Sequence, residues 1–479
     1  MIFADADPFV SQGRRSSERM WHEVSCFRST VTPLAMMSHR RSLKCVIPTK
    51  RVPACCVKGT PDLPEPFNRR WSNPRRRKGE FHHSLKPVRR WIQGEGYNHF
   101  DCHSKDYFML ISYNILGDNN ASKHGELYHN IPLDIMNWNS RKRFIFHEID
   151  SLNGDLLCLQ EVDNYEDISA YLKRKGYIGH YKRRTGWAKD GCALFWKAER
   201  FKLLEADNIE FRSFGLRDNV AQLLVFELFE NPKWRIEFAF PCFKPCHMQL
   251  SKGNPRRLVV GNIHVLFNPK RGDIKLGQIY RFLLKATQLS EKWGGIPVVL
   301  AGDFNSTPKS AIYDFLLTSK LKVDMRNRRK FLEQNNFQLA SCDLSVLNYY
   351  WTGKELANGS PHSLITHDLN LQSSYATIKS TAMTRDYLGE PLATSYHSKF
   401  LGTVDYIWYS TGLTCTRVLD TLPLDTLRML GGLPCQDIGS DHVSLVAELV
   451  FTESKEIEIQ STDESSNDEG TVISKVNLK

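Results

Sequence analysis

No apolar run in this sequence is long enough to span a bilayer as a helix. The sequence also lacks a glycine-rich loop closing on Lys–Ser/Thr, and no Ser or Cys stands in a recognisable nucleophilic triad. These absences set aside a membrane-spanning protein, a P-loop nucleotide hydrolase and an enzyme with a covalent intermediate. The 12 Cys are scattered without paired spacing or a secretory signal, so reduced thiols in an intracellular protein are expected rather than disulfides. The one local cluster, Cys242–x3–Cys246–His247, lacks a fourth zinc ligand and lies beside Pro241 and Pro245, so it reads as loop. There is no internal repeat, and residues 1–100 contain no Leu-x-x-Leu-x-Leu period.

Charge is unevenly distributed. Residues 1–100 hold 19 Lys and Arg against 8 Asp and Glu, which accounts for the whole net charge of +11. This stretch is rich in Ser, Arg and Pro and reads as a disordered basic arm. Within it, Met36–Lys44 resembles the start of an organellar transit peptide, and Arg75–Arg76–Arg77–Lys78 suits a nuclear signal or a nucleic-acid patch. The reading is therefore nucleus and cytoplasm, with mitochondrion or plastid as the alternative. Residues 453–469 carry seven carboxylates and one Lys, so 453–479 is expected to be an acidic disordered tail. A body over 101–452 remains, and it is expected to be the folded domain that carries any catalytic site. A basic arm on a near-neutral body fits a polyanionic partner.

Within the body, strand patterns appear at 107–114, 155–161, 191–196, 220–228, 258–265, 298–301, 402–410 and 442–449. Helical periodicity marks 141–151, 274–293 and a start at 311–317. Strands and helices interleave without a strict βαβ rhythm, which points to mixed sheets with outer helices. Residues 353–398, rich in Ser, Thr and His, read as a long surface excursion.

The most informative stretch is Val298–Val299–Leu300–Ala301–Gly302–Asp303–Phe304–Asn305. Here an apolar strand stops at a Gly, and Asp303 and Asn305, two apart, point to one side. Four other stretches place polar residues at a strand end: Ile111–Asn114, Leu159–Glu161, Gly261–His264 and Ile438–His442. A sixth, Thr403–Ile407, carries Asp405 within a strand pattern. Singly, each has a structural explanation, such as a solvated loop acid, a core histidine or a paired acid. Six independent polar intrusions would be costly to bury without partners, and convergence on one cleft is simpler. That cleft would hold Glu161, Asp303, Asp405, Asp441, Asn114, Asn305, His264 and His442. Hard oxygen donors suit Mg²⁺, with Mn²⁺ as a second choice, and a divalent ion beside His and Asp suits phosphoester hydrolysis.

In this order the motifs resemble the endonuclease/exonuclease/phosphatase superfamily, over roughly residues 107–450. The resemblance implies an α/β four-layer sandwich of two mixed β-sheets flanked by helices. It implies that Asn114 orients the groups at the metal and that Glu161 is the principal metal ligand, joined by Asp303, Asn305 and His442. His264 would bond the scissile phosphate, Asp303 would activate water, and Asn305 would position it. Asp405 would support His442, which pairs with Asp441. Within the superfamily, Tyr113–Leu116, Cys158–Val162, Asp190–Ala193, Leu216–Ala221 and Tyr396–Phe400 are similar to the carbon catabolite repressor deadenylases, plant type, near the Angel and Nocturnin branches. That similarity implies an adenine sandwiched between Pro269 and Phe400, with Asn219 also at the substrate.

The implied activity is Mg²⁺-dependent 3′→5′ exoribonuclease action on mRNA poly(A) tails, with release of AMP and RNA as the partner. Asn268 stands where the core deadenylases carry Asp, and the leucine-rich repeats that tie them to a deadenylase complex are missing. The alternatives are a phosphatase for RNA 2′,3′-cyclic phosphates or a dinucleotide 2′-phosphate, and then an inactive RNA-binding scaffold.

Overall fold

Alternation along the strands decides which residues face which layer. In the computed structural model the described residues are 88–95, 106–229, 255–324 and 362–452. The Cys242–Cys246–His247 loop, the acidic tail, residues 1–87 of the basic arm and residues 353–361 lie outside them.

The strands run in chain order as β1 (Trp91–Gln93), β2 (Tyr107–Asn114), β3 (Leu156–Gln160), β4 (Tyr177–Arg183), β5 (Gly191–Lys197) and β6 (Phe201–Glu210). They continue with β7 (Val220–Leu228), β8 (Arg257–His264), β9 (Val298–Asp303), β10 (Lys320–Asp324), β11 (His362–Thr366) and β12 (Gln372–Ser373). The last are β13 (Ser395–His397), β14 (Phe400–Gly402), β15 (Asp405–Tyr409), β16 (Leu413–Leu419) and β17 (Leu445–Phe451). A seven-stranded sheet has the order β1-β16-β17-β2-β3-β5-β4, and a six-stranded sheet the order β12-β15-β9-β8-β7-β6. Each is mixed. β2 and β3 are parallel in the first sheet and β8 and β9 in the second, among otherwise antiparallel pairs.

Three apolar clusters separate the layers. Phe108, Leu110 and Leu156 meet Leu258, Val260 and Val299 between the two sheets. The alternate residues Ile111 and Tyr113 turn outward and pack under the helix Trp138–Leu152 through Ile145 and Ile149. On the far face of the second sheet, Val259 and Leu300 pack against Ile279 and Phe282 of the helix Gly272–Lys292. The chain is thus an α/β four-layer sandwich of two mixed sheets flanked by helices.

Some sequence expectations change. β1 lies inside the stretch read as arm, yet pairs antiparallel with β16, from Trp91↔Leu419 to Gln93↔Arg417, so the folded body begins upstream of residue 101. The strand expected from Gly402 divides into β14 and β15, and the one expected from His442 starts at Leu445. The excursion expected over 353–398 is only partly a surface feature where it is described: Met383 and Tyr387 are exposed, but much of the segment turns inward. Tyr375, Ile378 and Ala393 are buried. The polarity that suggested solvent serves internal hydrogen bonds: the Tyr375 hydroxyl donates to Leu419 O at 2.7 Å, and Ser380 and Thr384 both donate to Asp420 at 2.8 Å. Eight strands that the pattern did not mark, β1, β4, β6, β10, β11, β12, β13 and β16, complete the pairing among the described residues. β4 and β6 carry regularly spaced polar residues because much of their surface is not fully buried.

Candidate active site

The parity that sends Phe108, Leu110 and Ser112 between the sheets carries Asn114 to the same face at the end of β2. The same holds for His264 after Val260 and Asn262 on β8, and for Asp303 after Val299 and Ala301 on β9. Asp405 opens β15, which runs antiparallel to β9, so Asp405 and Asp303 are direct register partners. Asp441 and His442 precede β17, which is antiparallel to β2 and therefore starts where β2 ends. The site is the polar end of the inter-sheet core.

Asp303 is the hub. Its Oδ2 accepts from Asn114 Nδ2 at 3.1 Å and lies 3.5 Å from His264 Nε2 and 3.9 Å from His442 Nε2. Its Oδ1 accepts from the Asn305 amide at 2.8 Å. Gly302, at φ 146°, lets β8 lie close beside it, since a Cβ there would meet Ile263 O at 2.0 Å. Burial and the facing Asp405 carboxylate raise Asp303 above the usual carboxylate range, against the pull of His264 and His442.

Glu161 follows β3 in a left-handed conformation, φ 56°. Its Oε1 accepts from Asn114 Nδ2 at 3.2 Å and lies 3.9 Å from His264 Nε2. Its Oε2 accepts from Gly117 N at 3.1 Å and Asn120 Nδ2 at 2.9 Å. Burial alone would raise its carboxyl, but His264, the Asn120 amide, His442 and the Asn114 amide outweigh it and hold it low. His442 Nδ1 bonds Asp405 Oδ2 at 2.8 Å, and its Nε2 lies 4.0 Å from Asp441 Oδ1. Burial opposes a charge on this imidazole, yet Asp405, Asp441 and Asp303 raise it well above the usual histidine range.

Eight of the expected residues therefore meet in one buried cluster. Among the described residues, Asp303, Asp405 and His442 also form a set whose ligand atoms lie within 4.8 Å of one another. Asp405 Oδ2 is, however, already engaged by His442 and by the Thr394 hydroxyl at 2.6 Å, so this trio reads first as a hydrogen-bonded acid–imidazole pair. The oxygens of Glu161 and Asp303 that converge on one Asn114 amide are the hard donors that suit a small divalent cation.

The residues expected at the substrate are placed more loosely. Pro269 is exposed in the loop after β8, and Phe400 is half-buried at the start of β14, its ring tilted against His397 at 5.9 Å. Asn219 is buried and donates to His264 O at 3.0 Å, a tie beneath the imidazole that the expected substrate contact did not include.

Several supports carried no sequence signal, among them Asn120, Thr394 and Tyr128, whose hydroxyl donates to Asp441 Oδ2 at 2.9 Å. Arg141 had one, for it shares a four-residue stripe with Ile145 and Ile149. Its buried guanidinium donates to Ile115 O at 3.1 Å, Leu116 O at 2.8 Å and Gly439 O at 3.3 Å, and so joins the segment after Asn114 to the one before Asp441. Behind the site, Asn262 bridges the sheets. It accepts from Gln160 Nε2 at 2.9 Å, and its own amide faces Leu159 O, Ala193 O and Gln222 Oε1, each at 3.1 Å. Polar residues at inward parity in apolar strands were the available signal for this group.

Residues 111–442 match the Endonuclease/Exonuclease/phosphatase family. The chain belongs to this family. Carbon catabolite repressor protein 4 homolog 3 of Arabidopsis thaliana is 45% identical over 436 residues, covering 88% of this chain and 92% of that protein. Homolog 5 from the same plant is 46% identical over 396 residues, covering 79% and 84%. Among solved structures, ANGEL2, a 2′,3′-cyclic phosphatase, in complex with adenosine-2′,3′-vanadate, is similar at 29% identity and a TM-score of 0.60, covering 76% of this chain and 99% of that one. Members of this family typically depend on a divalent metal, and the donor set here agrees with that. No helix among the described residues is long and apolar enough to cross a membrane.

Proposed function

We propose that this chain is a Mg²⁺-dependent 3′→5′ exoribonuclease that shortens poly(A) tails and releases AMP. The observation that carries the reading is the buried Asp303 hub, flanked on one side by Glu161 and His264 and on the other by the Asp405–His442 pair. Its likeness over most of its length to carbon catabolite repressor protein 4 homologues supports RNA as the substrate class.

Glu161, with Asp303 and Asn305 as further candidates, would hold the cation; His442, also expected as a ligand, is held charged by its acid partners and has no lone pair to offer. When bound, the ion supplies positive charge that offsets the phosphate and the departing oxygen. The chain's own groups do the rest. Asp303, raised by burial and Asp405, is suited to accept a proton from the attacking water. His442, charged and fixed by Asp405, stabilises negative charge developing on the phosphate. His264, with its backbone carbonyl bonded by Asn219, presents Nε2 towards the same space. Pro269 and Phe400 would flank the terminal adenine. Buried Lys275, lowered to about 8 chiefly by desolvation, donates to Asn305 O and steadies that loop.

The second reading, hydrolysis of an RNA 2′,3′-cyclic phosphate at the same residues, is favoured by the likeness to ANGEL2 and by Asn268. A dinucleotide 2′-phosphate is the third substrate to test. The deciding experiment resolves two RNAs on a sequencing gel after incubation with purified protein and Mg²⁺. One ends in 3′-hydroxyl oligo(A) and the other in a 2′,3′-cyclic phosphate. A ladder of shortened products that is lost in Glu161→Ala supports the exoribonuclease. Removal of the cyclic phosphate without shortening establishes the second reading instead.

A further inference from the structure

Among the described residues, every Trp except one is buried or half-buried; Trp187 is 97% exposed. Leaving an indole in water forgoes the burial of a large apolar surface, so an isolated exposed Trp is unremarkable only if its surroundings are too. Here they are not. Trp187 tips the turn between β4 and β5, and that turn is braced from both sides. Arg184 N donates to Asp190 O at 3.0 Å, and its guanidinium engages the buried Asp190 carboxylate. Thr185 donates twice to Asp218, from its amide to the carbonyl at 3.1 Å and from its hydroxyl to Oδ1 at 2.8 Å. The Trp is therefore displayed on an anchored support.

Both anchors lead to the active site. Gly191, which ends the turn, exchanges two backbone hydrogen bonds of 2.9 Å with Val162, the residue after Glu161. Asp218 precedes Asn219, which bonds the carbonyl of His264. Four residues of extended chain span at most about 14 Å, so the Trp187 backbone stays within that reach of Gly191. The charge around it is positive. Arg183, Lys189 and Arg217 are exposed and form no ion pair with a carboxylate among the described residues, whereas the nearby acids Asp190 and Asp218 are each paired with an Arg. A planar aromatic face set among cations that have no carboxylate partner, on a turn bonded to the segment that follows Glu161, is the pairing that single-stranded nucleic acid uses, with bases on the ring and phosphates on the cations.

We propose that Trp187 is a stacking platform for a base of the RNA strand upstream of the terminal nucleotide, with Arg183, Lys189 and Arg217 along its backbone. The proposal rests on RNA being the substrate, and it adds a subsite apart from Pro269 and Phe400. Such a contact is tolerant of base identity, so it would set affinity for a strand and not adenine preference.

The test measures binding of 5′-labelled oligo(A) and oligo(U) by fluorescence anisotropy, with the full chain in chelator so that nothing is turned over. Trp187→Ala is expected to weaken both RNAs about tenfold, within the range for loss of one base stack, while Trp187→Phe recovers most of the affinity. AMP, which has no upstream base, should bind equally to all three proteins. An affinity for the strands in Trp187→Ala within twofold of the wild type would overturn the platform, as would a wild-type chain that binds neither RNA at low salt. Because binding is read without hydrolysis, this outcome stands apart from the gel assay that decides between shortening and cyclic-phosphate removal.

Discussion

Replacing Asn262 with Leu tests whether the carboxamide bridge behind the site holds the two sheets in register. The side chain is fully buried, and its two amide hydrogens are shared among Leu159 O, Ala193 O and Gln222 Oε1 while its oxygen accepts from Gln160 Nε2. Leu has the same branching and number of heavy atoms but is bulkier, so no cavity is left and the cost comes mainly from stranded polar groups. Gln160 keeps a second acceptor, Cys158 O at 2.9 Å, and loses little. Two or three other buried oxygens lose a donor, at about 1–3 kcal/mol each, and the added apolar contact returns part of this. The net expectation is roughly 3–5 kcal/mol. With a urea m-value of about 3 kcal/mol/M, the unfolding midpoint should fall by about 1–1.7 M. Gln222→Leu, which strands fewer partners, should cost less, and combining it with Asn262→Leu should cost less than the sum of the two, because neither then abandons the other. Urea unfolding followed by tryptophan fluorescence measures all three. A midpoint in Asn262→Leu within about 0.3 M of the wild type would refute the assignment of this group as a structural bridge.

Asp405→Asn should leave the chain folded and lower kcat by about a hundredfold or more, with little change in KM, because an amide cannot hold His442 charged; steady-state kinetics read this directly. Glu390 is buried and hydrogen-bonded to the Tyr313 hydroxyl at 3.0 Å, and burial raises it from 4.5 to about 7 despite Ser373, Tyr313 and Arg385, with Asp386 adding to the rise. Folding therefore favours its protonated form. Its contribution is complete below about pH 4.5 and is lost as pH rises through about 7, so Glu390→Gln should stabilise the protein at pH 8 by about 2–3 kcal/mol and gain little at pH 4.5, as thermal unfolding at the two pH values would show. Phe400→Ala should raise KM for substrates ending in adenine by about tenfold with little change in melting temperature; an unaltered preference between adenine and uracil ends would remove Phe400 from the base site.

The sequence alone determined the strands that build the inter-sheet core and the polar residues at their ends. An apolar run such as Val298–Ala301 is a local signal, and Gly302–Asp303–Phe304–Asn305 marks where it stops. Those signals suffice to place Asn114, His264 and Asp303 on one face, because a strand's parity is fixed by its own period, whereas Glu161 and His442 lie just outside β3 and β17 and reach the same cleft through the turns there. Tertiary structure decided what depends on distant partners. It made Asp303 the hub by placing β15 antiparallel to β9, so that Asp405 faces it. It turned the Ser- and Thr-rich segment before β15 inward, since polar side chains such as Thr394 and Ser380 lose no hydrogen bonds when a buried acid accepts them. It drew β1 out of the basic arm and into the first sheet, and it gave Arg141 the carbonyls of two separate loops. Periodicity records which face of an element is buried, but the partner of a buried polar group is fixed only when the elements pack, and the support of this site consists largely of such partners.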